Sequence, residues 1–422
     1  MNDGASSALV AAIRPWLAHH VDAEIDLVWN PPGSLDDEGV PARLIHQVPQ
    51  SAWWALDRAA MGDESGVDRT VRALLALQYD EPDTPWHGTF ARFAESPPPT
   101  SGAVEFHDFD PNWRQFVGIA FALLLRHHRR LLADDLAQAM EDAIQRAVIG
   151  ETESGRLRAD YTNIATQHAW LLDAAGRGDE AAALADRIAT DWRRHRTFPE
   201  YNSPTYDGVS AWALALWRGS SDTLGPVGAE IEADLWRTIA DRWHPGLGNM
   251  VGPYGRAYGL DAHRYVAKLA LLLRAAGVDA PVPLPTHVDE PAVHGHDLYA
   301  VAAMALAPPT IPADAAERLA TFGGETTVSG TITDAPTRRH HHAWLGHDVM
   351  IGAEAGESDW TGWFQFVAGT VHWRLPDGGV GVIRYVPDGR PQGHVAPGAL
   401  TTEPGARFLV DLPDPSIVHS TR

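Results

Sequence analysis

Apolar side chains recur at helical spacing from the start of the chain to about residue 307, and they do so in two alternating ways. Segment 113–132 carries Phe116, Val117, Ile119, Phe121, Leu123, Leu124 and Leu125 on nearly every side, whereas 134–149 gathers Leu136, Met140, Ala143, Ile144, Ala147 and Val148 on one stripe. Segment 161–175 is again broadly apolar, and 180–194 is striped by Ala181, Leu184, Ala185, Ile188, Ala189 and Trp192. The pair 209–217 and 227–243 repeats the contrast, the second striped by Val227, Ile231, Leu235, Ile239 and Trp243; 260–276 and 297–306 return to the broad type. A helix apolar on every side is buried on every side, while a striped helix lies at a surface. The alternation therefore predicts inner helices covered by outer ones. The broad helices begin near 112, 161, 208 and 260, a spacing of about 50 residues that fits repeated helical hairpins. An earlier pair (52–61 and 67–78) and the helix near 297 bring the count to about five to six hairpins, an (α/α) toroid with an open solenoid as the alternative.

The pattern changes at Pro308 to Pro312. Beyond it, β-branched and aromatic residues alternate between Gly and Asp turns, which predicts strands over 326–333, 342–351, 362–374, 379–385 and 406–410. Leu375-Pro-Asp-Gly-Gly379 has the composition of a hairpin turn. The expected fold class is mainly α with a C-terminal β domain: a toroid over 1–310, then an antiparallel sheet or sandwich over 311–422.

Composition narrows the partners. A formal net charge of −22 argues against nucleic acid and anionic membranes, though not against an anionic small substrate held by a local basic site. Sixteen Trp are enough to stack sugar rings, although most Trp serve as core. The chain has no Cys, which removes thiolate chemistry and disulfides. With no basic n-region before an apolar run, no signal peptide is visible and a cytoplasmic protein is expected; a trimmed secreted chain would read the same.

The chemistry-bearing residues cluster in loops that share one position, each leading from a striped helix into a broad one. They are His87-Gly-Thr-Phe90 with 105–114, Asp160-Tyr-Thr-Asn163, 198–208, and Gly252-Pro-Tyr-Gly-Arg-Ala-Tyr-Gly-Leu-Asp261. In a toroid these connections emerge on one rim, beside inner-helix N-termini whose free N–H groups favour anions. The rim would then hold Tyr161, Tyr201, Tyr206, Tyr254, Tyr258, Asn163, Asn202, Trp113, Arg114, Arg256, His87 and His107. Its carboxylates would be Glu105, Asp108, Asp160, Glu200, Asp207 and Asp261. Tyr, Asn, Arg and His together suit β-elimination at a uronic acid, which needs the sugar carboxylate neutralised and the proton beside it removed. Glu200 and Asp207 would instead suit an inverting glycosidase. A ring that only binds sugar is a third reading.

Each residue also has a plainer use. Asn202, Ser203 or Asp207 could cap the helix that follows, Tyr206 and Tyr258 could be packing residues, Arg256 and Asp261 an ion pair, and His168 a core histidine. His340-His341-His342 with His347 has no acidic or Cys partner at fixed spacing, so no metal is assigned. His294-Gly-His296-Asp297 precedes the last broad helix and is a weak signal. No redox cofactor is expected.

The order of parts resembles the polysaccharide lyases of the heparinase II/III and alginate lyase type, and the phrases Glu200-Tyr-Asn-Ser-Pro-Thr-Tyr206 and Gly252-Pro-Tyr-Gly-Arg-Ala-Tyr258 resemble those of uncharacterised bacterial and fungal proteins of that general class. The resemblance implies an α/α toroid followed by antiparallel β-sheet and a lyase acting on an anionic oligosaccharide. It implies catalytic roles for Asn202 or Asn163, Arg256, and Tyr258 or Tyr254. No Asn-Asn-His-Xaa-Tyr motif like that of the alginate lyases is present, which leaves the histidine role without an assignment.

Overall fold

A computed structural model describes residues 3–31, 44–334, 337–356, 366–387, 398–402, 405–409 and 415–420. The helices are α1 (Asp3–His19), α2 (Val48–Met61), α3 (Glu64–Leu75), α4 (Trp113–His128), α5 (Asp134–Ser154), α6 (Thr162–Ala174), α7 (Gly178–His195), α8 (Tyr206–Arg218), α9 (Leu224–Arg242), α10 (Lys268–Ala275), α11 (Val301–Leu306) and α12 (Ala313–Ala320). Two-residue ladders β1 (Val28–Trp29) with β2 (His46–Gln47), and β3 (Trp243–His244) with β4 (Asn249–Met250), interrupt the helices. Among the described residues, no helix is long and apolar enough to cross a membrane.

The chain divides into two compact units. The first comprises residues 1–188, 212–228 and 284–308; the second comprises 189–211, 229–283 and 309–422. In the first, α2, α4 and α6 lie side by side, and α3 and α5 pack against them and against each other. The burial follows the sequence pattern. From Thr162 to Leu172 every residue of α6 is buried, while α5 buries the stripe from Leu136 to Val148. Gly118 lets α4 approach α6, since a Cβ there would meet Leu171 Cδ2 at 2.8 Å. The indole of Trp217 donates to Thr166 O at 2.8 Å, tying the end of α8 to α6.

In the second unit, an antiparallel meander runs through β5 (Thr326–Asp334), β6 (Thr337–Leu345), β7 (Val349–Gly356), β8 (Gly369–Arg374) and β9 (Val380–Pro387). Three short strands add to it: β10 (Gly398–Thr402) pairs with β7 and with β11 (Gly405–Leu409), and β12 (Pro415–Ser420) pairs with β9. Ala343, Leu345, Met350, Val380 and Val382 of the sheet bury one apolar cluster with Leu247 and Val251.

Three elements differ from expectation. The single strand expected over 342–351 is two strands joined at Gly346-His347-Asp348, because Gly346 N–H turns back to Val349 O at 2.8 Å. The helix expected from 260 starts only at Lys268. Gly259 takes φ +78°, Ala262 N–H is taken by Asn249 Oδ1, and Leu269 N–H by Pro204 O, so these groups are satisfied outside any helix. The helix expected over 297–306 opens as a 3-10 turn, Gly295–Ala300, before α11. Residues 362–365 and Val410, within the expected strands 362–374 and 406–410, lie outside the described residues.

Candidate functional site

The sheet of the second unit carries loop 251–258. Gly252 N–H donates to Thr370 Oγ1 at 3.1 Å, and Tyr254 and Val367 exchange both backbone hydrogen bonds at 2.9 and 3.0 Å. The approach is close enough that a Cβ on Gly352 would lie 1.7 Å from Gly252 O. Loop 198–205 is stitched onto this one. Gly255 N–H donates to Tyr201 O at 3.0 Å, and Asn202 Nδ2 donates to Val251 O at 2.7 Å and also to Pro253 O. Asn202 takes φ +52°, a left-handed conformation that Asn tolerates better than most residues. Both amide hydrogens of Asn202 are thus spent on holding the two loops together.

The two loops converge on Arg256, which is buried. Its Nη1 donates to Glu200 Oε1 at 2.7 Å and its Nη2 to the Tyr206 hydroxyl at 2.6 Å. The guanidinium carbon lies 3.8 Å from the Tyr206 ring centroid. Tyr206 faces Tyr258 at 5.8 Å between centroids, and Tyr258 stacks on Tyr265 at 6.5 Å. These three rings are half-buried, and that of Tyr206 lies against the buried Arg256–Glu200 pair.

Asp207, in the first turn of α8, accepts from Ser203 N–H at 3.0 Å while its own N–H donates to Ser203 O at 2.7 Å, a reciprocal cap. Burial pushes its carboxyl up to about 8, against the pull of the Ser203 N–H and of Arg242 and with a push from Glu200. Tyr201 Oη, Asn202 Oδ1, Ser203 Oγ and Thr205 Oγ1 are buried without a hydrogen-bond partner among the described residues. Such atoms call for ordered water or a ligand. Tyr254 is fully buried; its hydroxyl donates to Met250 O at 2.5 Å, and burial raises it well above the usual phenol range. Tyr201 packs its ring against His341, and Arg339 lies over it. Asp261 accepts from His263 N–H at 3.2 Å and faces Arg264 at 3.6 Å.

The first unit holds the remaining candidates. Arg114 is wholly buried and its donors go to His87 O, Pro85 O and Glu151 Oε2 at 2.9, 2.6 and 3.1 Å, the bonding of a core residue. Arg156 donates to Asn112 Oδ1 at 2.9 Å and Glu151 Oε2 at 3.1 Å, and Asn112 Nδ2 donates to the half-buried Tyr161 hydroxyl at 2.9 Å. Beside them burial pushes the Asp110 carboxyl up to about 6. His87 and Asn163 are buried; His107 is exposed and paired with Asp108 at 2.9 Å; the Trp113 indole donates to Arg92 O at 3.1 Å.

Residues 23–309 match the family model described as Domain of unknown function (DUF8769). The chain belongs to the DUF8769 family. No curated protein matches it. The DUF8769 match spans the helices from α2 to α11 and the candidate residues of both units; the β5–β9 sheet lies beyond it.

Sequence reasoning passed over Asp110, Asn112, Arg156, Tyr265 and Lys268. Only Lys268 carried a signal of its own. Among 33 Lys and Arg side chains it is the single lysine. It opens α10, where the helix dipole disfavours a cation. Its backbone adjoins the first turn of α8: a Cβ on Gly208 would lie 2.6 Å from the Lys268 carbonyl carbon.

Proposed function

We propose that this DUF8769 chain is a carbohydrate-active lyase that cleaves a uronic-acid-containing oligosaccharide by β-elimination, with Tyr206 as the proton-abstracting group. The observation that carries the reading is the charge-assisted hydrogen bond from buried Arg256 to the hydroxyl of a half-buried tyrosine. A guanidinium at a phenol oxygen favours the phenolate, the form that removes a proton. Arg256 thus acts through Tyr206 and is a positioning residue, held in place by Glu200. The phenolate takes the proton beside the sugar carboxylate, a carbon–carbon double bond forms, and the glycosidic carbon–oxygen bond breaks. The leaving oxygen takes a proton from Tyr258 or from the newly protonated Tyr206. Lys268, whose backbone adjoins the first turn of α8, takes the substrate carboxylate. Tyr258 and Tyr265 supply faces for sugar rings.

The toroid belongs to the same proposal. Its support is the layering of the first unit, where nearly all-buried α2, α4 and α6 adjoin one another and α3 and α5 cover them. The deciding experiment compares turnover of uronate oligosaccharides by the native chain and by Tyr206→Phe. Unimpaired elimination in the variant removes the assignment.

One observation favours a second reading, an inverting glycoside hydrolase. Burial raises the Asp207 carboxyl to about 8, which favours the protonated form that a general acid needs. Against it, Asp207 is spent on Ser203 N–H and Glu200 on Arg256.

A further inference from the structure

We infer that His294, His296 and Asp297 form a binding site for a first-row divalent transition-metal ion. One ligand atom from each lies within 4.8 Å of the others. His294 Nδ1 and Asp297 Oδ2 are 3.1 Å apart. Two ligands at 2.0–2.1 Å from a tetrahedral ion keep roughly 3.3 Å between them, so this pair needs almost no movement to share one.

The backbone brings the three together. Asp297 N–H closes the turn on His294 O at 3.1 Å, which brings the two side chains to the same side of the turn. His294 takes φ +59°, a left-handed conformation that is unfavourable for a non-glycine residue and persists only where the surroundings impose it. Gly295 allows the turn to sit on Trp16, since a Cβ there would meet Ala292 Cβ at 2.8 Å and Trp16 Cη2 at 2.9 Å.

His296 lies against the His294–Asp297 ion pair. The two imidazole centroids are 3.8 Å apart. Two protonated imidazoles that close repel each other, whereas two neutral ones can ligate one cation. Asp297 is buried and both histidines are half-buried, so the ion would be shielded on the protein side and open to water on the other. Two imidazole nitrogens and one carboxylate oxygen suit Zn, Mn, Fe, Co or Ni, and not the all-oxygen preference of Mg or Ca.

The test uses the full chain without a histidine tag, stripped with a chelator and titrated with zinc chloride against a chromophoric chelator. The expected result is one equivalent bound per chain, with affinity lowered roughly 10-fold or more in His296→Ala and in the near-isosteric Asp297→Asn. Both variants should keep the native circular dichroism. The double variant His340→Ala/His342→Ala should bind as the native chain does. Absence of saturable binding overturns the inference. So does binding that survives His296→Ala and disappears in the His340/His342 variant.

Discussion

The guanidinium of Arg256 lies over the ring of Tyr206 and donates to its hydroxyl at 2.6 Å. The second hydrogen bond of Arg256, to buried Glu200, prevents the arginine from swinging away. This makes the pair a unit whose parts fail differently when removed.

Tyr206→Phe deletes an oxygen at a half-buried position. Its thermal midpoint should stay within a few degrees of the native value, while turnover of a uronate substrate falls about 10²-fold or more, the usual worth of a positioned acid or base. Equal turnover in native and variant chains would move the base elsewhere.

Arg256→Gln leaves Glu200 buried without its cation. Breaking a buried pair from one side costs about 3–5 kcal/mol, so denaturant unfolding should shift markedly. Adding Glu200→Gln should recover much of that loss, yet the double variant should remain inactive. Recovery of activity along with stability would make the pair purely structural.

Tyr254→Phe separates two tyrosines that look alike in the sequence. Its hydroxyl serves Met250 O in the interior, so its loss should cost about 1 kcal/mol of stability and leave kcat within a factor of about two. A large kcat loss with native stability would return Tyr254 to the catalytic group.

How far the chain could be read from its residues depended on the range of the interactions involved. Striped α5 and nearly all-buried α6 were legible because helix burial repeats every few residues. Arg114 was not legible as core, because its partner Glu151 is brought beside it only when α4 and α5 pack. Tyr254 and Tyr206 each fall in a polar stretch of sequence, and only the pairing of Tyr254 with Val367 decides which one is sealed. The late start of α10 turns on Asn249 Oδ1 capturing Ala262 N–H, a contact between loops that no local pattern announces.

Stability should depend on pH through Asp207. Its carboxyl titrates near 8 in the folded chain and near 3.9 when unfolded. The folded state therefore binds the extra proton between those values. That contribution is full below about pH 4 and is lost as pH rises toward 8. His168 and His341, depressed to about 4 and about 3 by burial, act oppositely below about pH 6.5. The comparison is therefore made between about pH 6.5 and 8, where the variant shares every other titrating group. There the native chain should lose stability relative to Asp207→Asn, measured by urea unfolding across that range. Parallel curves would place the Asp207 carboxyl in the ordinary range.

The central claim is β-elimination at a uronic acid, and product analysis tests it most directly. The purified chain is incubated with a panel of uronate-containing oligosaccharides, and products are read by ultraviolet absorbance and by mass. The expected result is a rising absorbance from an unsaturated uronate, with product masses that sum to the substrate mass without added water. Saturated fragments that together carry one added water would contradict the claim and establish hydrolysis in its place.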